Sequence, residues 1–282
     1  MTSNISPYPE RCHSSYNRLA MLVEYEGTDY HGFQFQHNAT SIQEQLEKSI
    51  FKLTGKHTRV NAAGRTDAGV HAIGQVVSFD ASVNHEPSVF MEGLNHYLPP
   101  DIRIRNAKYA PMDFNPRRWA ISREYRYRLI NSREANPLLR RFVHNIKRPL
   151  DLNVMQIGAS SIEGIGDFAP FSGPSVSGST VRELFECSII SSYGVITIKL
   201  IANAFLNQQV RRTVGALLEL GLGNITLQEF NLLSKCGVIG AANWVAPPNG
   251  LVLTKVSYRK ESFVIENPTA ANAQEIELGS LV

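Results

Sequence analysis

Cysteine is scarce in this 282-residue chain: Cys12, Cys187 and Cys236 are far apart and form no Cys-x-x-Cys pair. An odd, scattered set argues against a disulfide framework or a zinc site and points to a reducing compartment. No apolar run approaches the roughly 20 residues that a membrane helix needs. The stretch 1–17 is polar and lacks the apolar core of a secretory signal. The expectation is therefore a soluble, cytoplasmic protein. Nucleotide-binding signatures are missing as well, with neither Gly-x-x-x-x-Gly-Lys nor Gly-x-Gly-x-x-Gly present. A zinc deaminase would need His-x-Glu with Cys-x-x-Cys, and the chain has neither. Asp67-Ala68-Gly69 lacks the hydroxyl that follows the acid of an aspartic protease.

What is present describes an ordinary globular protein, 43% hydrophobic and 19% charged. The length suits one large domain or two of ordinary size. Net charge is only +3, but it is unevenly distributed. From Arg117 to Arg148 ten basic residues face only Glu124 and Glu134, a net +8, while the remainder carries −5. Nine of the ten are arginine, interleaved with Trp119, Tyr125 and Tyr127. Such a segment fits a path for nucleic acid. The plainer reading is a solvated basic strand that resists aggregation.

The most informative stretch runs Ala62-Ala63-Gly64-Arg65-Thr66-Asp67-Ala68-Gly69-Val70-His71. One carboxylate lies between two glycines that permit unusual backbone angles or close approach. Arg65 is placed to hold that acid ionised or to reach an anionic ligand. A lone acid at the apex of a strand–loop–strand suits a nucleophile or a base. A tight turn in which Asp67 bonds its own backbone fits the local chemistry equally well.

Periodicity predicts a strand at Leu19–Tyr25, then a helix from Ile42 with Ile42, Leu46, Ile50 and Leu53 on one face. Ser41 and Glu44 form a capping box and Gly55 a stop. Strands bracket the Asp67 loop, a helix spans Pro87–Tyr97, and a strand spans Asp101–Tyr109. After a junction at Pro111–Pro116 come a strand at Glu124–Ile130, a helix at Asp151–Ser161, and strands at Arg182–Ser191 and Val195–Ala202. A helix at Asn207–Leu220 and a strand at Leu251–Tyr258 complete the pattern. Hairpins in place of βαβ crossovers indicate an α+β fold of antiparallel sheets. The expected division is a disordered tail at 1–17, an N-terminal domain at 18–112, a C-terminal domain at 113–265 and a second tail at 266–282. Ser172–Ser179 is rich in Gly and Ser, has few apolar groups, and is expected to be a surface loop free to close on a ligand.

The block ending in Gly64-Arg65-Thr66-Asp67-Ala68-Gly69-Val70-His71 resembles the catalytic motif of the tRNA pseudouridine synthase A family. Five further blocks follow in that family's order: Tyr25–Gln34, Phe114–Tyr127, Asp167-Phe168, Ala204–Arg211, and Ala246–Tyr258. The resemblance covers nearly the whole chain. It departs at Phe33, where the family more often has Trp, and at Asn115, Pro116 and Trp119, where the family has His, Ala and Ser. The resemblance implies two similar halves whose sheets join into one, helices on one side, and an active-site cleft between the halves. It implies a homodimer that isomerises uridine to pseudouridine in the anticodon stem–loop of tRNA, at positions 38, 39 and 40. No cofactor or metal is implied.

The same resemblance assigns roles to particular residues. Asp67 is the nucleophile and Arg211, rather than its neighbour Arg212, is its ion-pair partner. Tyr125 is the platform for the flipped base and a candidate for proton removal at carbon 5, with Leu253 as an apolar floor. Arg65 reaches into the stem where the base leaves. Phe114, Asn115, Pro116, Arg117, Arg118 and Arg133 fall where the family contacts tRNA, and Ser175, Ser177 and Gly178 are further RNA-binding candidates. His71 orders the loop. The reading from another class is a non-catalytic RNA-binding or chaperone protein on the same scaffold.

Overall fold

Among the described residues ten strands and five α-helices alternate. The computed structural model describes residues 18–81, 85–174, 178–259 and 263–266. The first half runs β1 (Arg18–Tyr25), α1 (Ile42–Thr54), β2 (Asn61–Ala62), β3 (His71–Asp80), α2 (Pro87–Tyr97) and β4 (Ile102–Ala110). The second runs β5 (Ser122–Asn131), β6 (His144–Ile146), α3 (Leu152–Ser161), β7 (Gly164–Asp167), β8 (Val181–Ser192), β9 (Val195–Ala202), α4 (Gln209–Gly221), α5 (Leu227–Lys235) and β10 (Leu251–Ser257).

Helix boundaries follow their local chemistry. The Ser41 hydroxyl accepts the Glu44 amide at 3.3 Å, and Gly55 ends α1 in the left-handed region at φ 71°. The expected capping box is only half formed. The Glu44 carboxylate turns outward to Lys48, 2.7 Å away, one turn along the helix. Asp151 caps α3 by accepting two amides. The apolar face of α4, with Val210, Val214, Leu217 and Leu218, is buried.

All strands belong to one sheet, in the order β4-β1-β3-β10-β5-β9-β8-β7, with β2 paired to β3 and β6 to β5. Most neighbours are antiparallel, as expected from the hairpins. The seam is not: β10 and β3 run parallel, with Val252 opposite His71 and Leu253 opposite Ala72. The last described strand is inserted between the halves, antiparallel to β5 and parallel to β3. The short β6 also runs parallel to β5. At the seam Gly74 is required, because a Cβ there would collide with the Thr254 carbonyl.

Along β5 the side chains alternate between faces. Arg123, Tyr125, Tyr127 and Leu129 are buried on one side. On the other, Arg126 pairs with Glu124, and opposite it in β9 Lys199 pairs with Glu186 of β8. Helices pack on the first face, α2 through Phe90 against Phe79 of β3 and α5 through Phe230 against Phe171. No helix among the described residues is long and apolar enough to cross a membrane.

Candidate active site

Between β2 and β3 the chain turns through Asp67 at the edge of a cleft of about 510 Å³. The turn is closed by the main chain: the Asp67 carbonyl accepts the Val70 amide at 3.2 Å, and Gly69 follows at φ 76°. Gly64 does not have a left-handed backbone; a methyl group there would lie 3.7 Å from the Tyr125 hydroxyl, within ordinary contact. The Asp67 carboxylate faces Arg211 in the first turn of α4, whose Nη1 donates to Oδ2 at 3.2 Å. Arg211 is in turn oriented by Nε donating to the Ala246 carbonyl at 2.7 Å. The two side chains retain 26% and 15% exposure, so the pair is enclosed but reachable from the cleft.

A buried polar scaffold fixes the loop from beneath. The Gln75 amide bonds both main-chain groups of Gly64, donating to the carbonyl at 2.8 Å and accepting the N–H at 3.3 Å. Tyr25 and Thr66 share a hydroxyl–hydroxyl bond at 2.9 Å, and burial pushes the Tyr25 phenol up to about 12. His71 holds the far end. Its Nδ1 accepts the Gly27 amide at 3.0 Å and its Nε2 faces the Arg141 carbonyl at 2.9 Å. An amide can only donate and a carbonyl only accept, so the ring is neutral with its proton on Nε2. Burial favours the same state by lowering the His71 pKa.

Arg123 ties three segments together. Its guanidinium donates to the carbonyls of Ala63 beside the Asp67 loop, Arg117 and Ala120 ahead of β5, and Asn203 after β9. With 7% exposure it is a buried cation neutralised by peptide dipoles alone. It belongs to the basic segment by sequence but acts here as a strut.

Tyr125 lies on the same β5 face and opens onto the cleft, edge-on to Phe205 at 5.2 Å and 90°. Burial first, then electrostatic interaction with Tyr25 and with the Asp67 carboxylate, pushes its pKa upward, so it is held as the phenol. Leu251, not Leu253, forms the apolar wall. Leu253 is fully buried, with Tyr125 and Ala72 as its strand neighbours. Among the described residues the cleft lining carries five arginines (Arg65, Arg117, Arg123, Arg182 and Arg211) and Asp67 as its lone carboxylate.

The other candidates are more dispersed. Arg65 is exposed and makes no ion pair with Asp67 among the described residues. Phe114 is in the core, packed against Trp119, Tyr258 and Phe263, and not on the surface that RNA would touch. Asn115 accepts the amides of Arg117 and Arg118 on its side-chain oxygen, each at 3.0 Å, and the Pro116 carbonyl accepts the Tyr258 hydroxyl at 3.0 Å. These three residues shape the turn that exposes Arg117 and Arg118. Arg133 is exposed but outside the cleft lining. Ser175 and Ser177 lie outside the described residues; Gly178 is exposed at φ 84°. The Ser172–Ser179 loop is not free at its start, where Ser172 is fully buried and the Gly173 amide donates to the Asn207 carbonyl at 2.7 Å.

Much of the basic segment is already engaged. Arg126 pairs with Glu124, Arg141 with Glu26 and Asp29, and Arg148 bonds Asn224 and the Leu222 carbonyl. Arg212 is also structural, bonding Gln208 and the Ala242 carbonyl. Residues to which the sequence assigned no role of their own also line the cleft, among them Phe205, Leu251 and Arg182. Phe205 and Leu251 stand inside recognisable blocks, whereas Arg182 carries no local signal.

A family model described as tRNA pseudouridine synthase matches residues 21–117 and 159–259. Among curated relatives, tRNA pseudouridine synthase A of Geotalea daltonii is 38% identical over 241 residues, covering 85% of this chain and 99% of the relative. The enzyme of that name from Roseiflexus castenholzii is 39% identical over 247 residues, covering 86% and 91%. That from Thermoanaerobacter sp. is 38% identical over 242 residues, covering 85% and 99%. Similarity of this extent, matched at both walls of the cleft, means that the chain belongs to the tRNA pseudouridine synthase A family.

Proposed function

We propose that this protein converts uridine to pseudouridine in tRNA, at positions 38, 39 and 40 of the anticodon stem–loop, acting as a cytoplasmic homodimer. The observation that carries the reading is the carboxylate of Asp67, paired with Arg211 at 3.2 Å beside Tyr125 in a cleft whose other charged lining residues, among those described, are arginines. The reaction breaks the bond from N1 to the anomeric carbon, rotates the uracil and forms the bond from C5 to that carbon. The C5 proton leaves and N1 gains one, so there is no net redox change. A single ionised carboxylate serves each of three routes: attack at the anomeric carbon, attack on the ring, or removal of a sugar proton. The Arg211 guanidinium lies against the Asp67 carboxylate and fixes its orientation toward the cleft. Tyr125 and Phe205 offer an aromatic wall to a base taken out of its stack. As a phenol, Tyr125 enters the reaction with its proton in place, which favours a platform or donor role over that of a base in the free enzyme.

Release of tritium from C5-labelled uridine in tRNA tests the activity, and mapping pseudouridine in tRNAs with uridine at only one of the three positions tests the sites. Tight tRNA binding without tritium release would favour the non-catalytic reading. Sedimentation of the free protein and of its tRNA complex tests the dimer.

A further inference from the structure

Arg182, the second residue of β8, occupies the cleft wall with Arg117. Its Nη1 donates to the carbonyls of Ser179 and Val181, at 2.9 and 2.6 Å, which fixes the plane of the guanidinium. Its Nε is buried without a partner, and Nη2 has no hydrogen bond among the described residues. No carboxylate lies within ion-pair distance of Arg182 or Arg117 among the described residues. Burial and the charge of Arg117 both act against the charge on Arg182 and lower its pKa. The main chain beside both residues is nevertheless held in place. Asn203, which follows β9, accepts the Glu183 amide on its side chain and donates its own amide to the Glu183 carbonyl, pinning the start of β8. Arg117 is fixed by Asn115 at its amide and by Arg123 at its carbonyl.

Two like charges in one cleft, with unused donors and no carboxylate partner among the described residues, are stable together when an anion joins them. A planar guanidinium offers paired N–H groups that match phosphate oxygens. We propose that Arg182 and Arg117 jointly grip one backbone phosphate of the tRNA strand that delivers its uridine to Asp67. This rests on the reading of the protein as a tRNA-modifying enzyme and assigns Arg182 as a substrate-binding residue.

The test is the salt dependence of tRNA binding, read by fluorescence anisotropy with unmodified tRNA and the full chain. For Arg182→Gln the slope of log K against log salt should flatten by about 0.7–0.9, the contribution of one neutralised phosphate. Arg182→Lys, which restores a charge, should recover most of that slope. The Arg117→Gln/Arg182→Gln double variant should lose roughly the same single contact, because both side chains grip one phosphate. Lys199→Gln, on the opposite sheet face, should leave the slope unchanged. A wild-type slope in a folded Arg182→Gln protein overturns the site. So does a double variant that loses two contacts additively, or a lysine variant no better than glutamine. Salt-independent tRNA binding by the unaltered protein would overturn the functional reading together with the site.

Discussion

At the level of single residues the pair of Asp67 and Arg211 lies between two energetic regimes. A fully buried pair loses roughly 3–5 kcal/mol when one partner is removed, whereas an exposed pair is worth about 0–1 kcal/mol. With 26% and 15% exposure, Arg211→Ala is expected to cost an intermediate ~1–3 kcal/mol in urea denaturation and most of the activity. Arg211→Lys keeps the charge but loses the bond from Nε to Ala246, so it should fold better than the alanine variant and remain poorly active. A double-mutant cycle with Asp67→Ala should give a coupling of about 0.5–3 kcal/mol, and zero coupling would show that the two side chains do not interact in solution. Asp67→Asn is nearly isosteric, so it should abolish tritium release while tRNA affinity stays close to wild type. Residual turnover above a few per cent would remove Asp67 from the chemistry. Arg212→Ala, by contrast, should behave as a stability variant, since its bonds go to Gln208 and the Ala242 carbonyl.

At the level of elements, the loop that carries Asp67 owes its position to side chains from other strands. His71 is one, neutral and bonded at both nitrogens. Its folded pKa is depressed, so the unfolded chain binds its proton first. The stability it supports is fully present above its ordinary value of 6.5 and is lost as pH falls from there through the lower folded value. Thermal stability should therefore drop between pH 7 and 5, and the drop should be shallower in His71→Gln; identical pH profiles would remove His71 from that role. Arg123 is a further brace, beside Gln75 and Tyr25. Arg123→Met leaves four carbonyls without their donor and should cost roughly 2–4 kcal/mol, together with activity that added guanidinium partly restores. Such contacts explain what the sequence showed and what it hid. Elements with a strong period, such as α1 with Ile42, Leu46 and Ile50 or β5 with Tyr125 and Tyr127, are visible in the chain because burial on one face selects their residues. The pairing of Arg211 with Asp67 follows from a motif, but the burial of Arg123 does not, since an arginine braced by carbonyls reads in sequence like any basic residue. α5 was missed although Thr226 and Glu229 spell its capping box, because only Phe230 of that short helix is buried. The two- to four-residue strands β2, β6 and β7 are too short to show a period.

At the level of the whole molecule, the seam decides whether there is a site at all. Asp67 precedes β3, while Tyr125 and Arg211 come from β5 and α4, so the proposed catalytic groups of the two halves meet only if β10 seats between β3 and β5 in register. That register depends on Gly74, where any side chain would strike the Thr254 carbonyl of β10. The rest of the sheet offers a control. Gly194 turns the hairpin between β8 and β9 at φ 77° with open space around it, so Gly194→Ala meets only backbone strain. That strain is expected to cost about 1–2 kcal/mol and to leave tritium release at saturating tRNA unchanged. Gly74→Ala should cost more, about 2–4 kcal/mol, because either the strands part or the pairing shifts. Its effect on activity should also exceed what the fraction unfolded explains, since a displacement of the order of 1 Å between Asp67 and Arg211 is enough to cost about 100-fold in rate. Measured below the unfolding transition, with the folded fraction checked by circular dichroism, Gly74→Ala should thus be a folded protein of low kcat. A variant as active per folded molecule as wild type would show that the halves find each other through packing elsewhere and that the seam does not set the catalytic geometry.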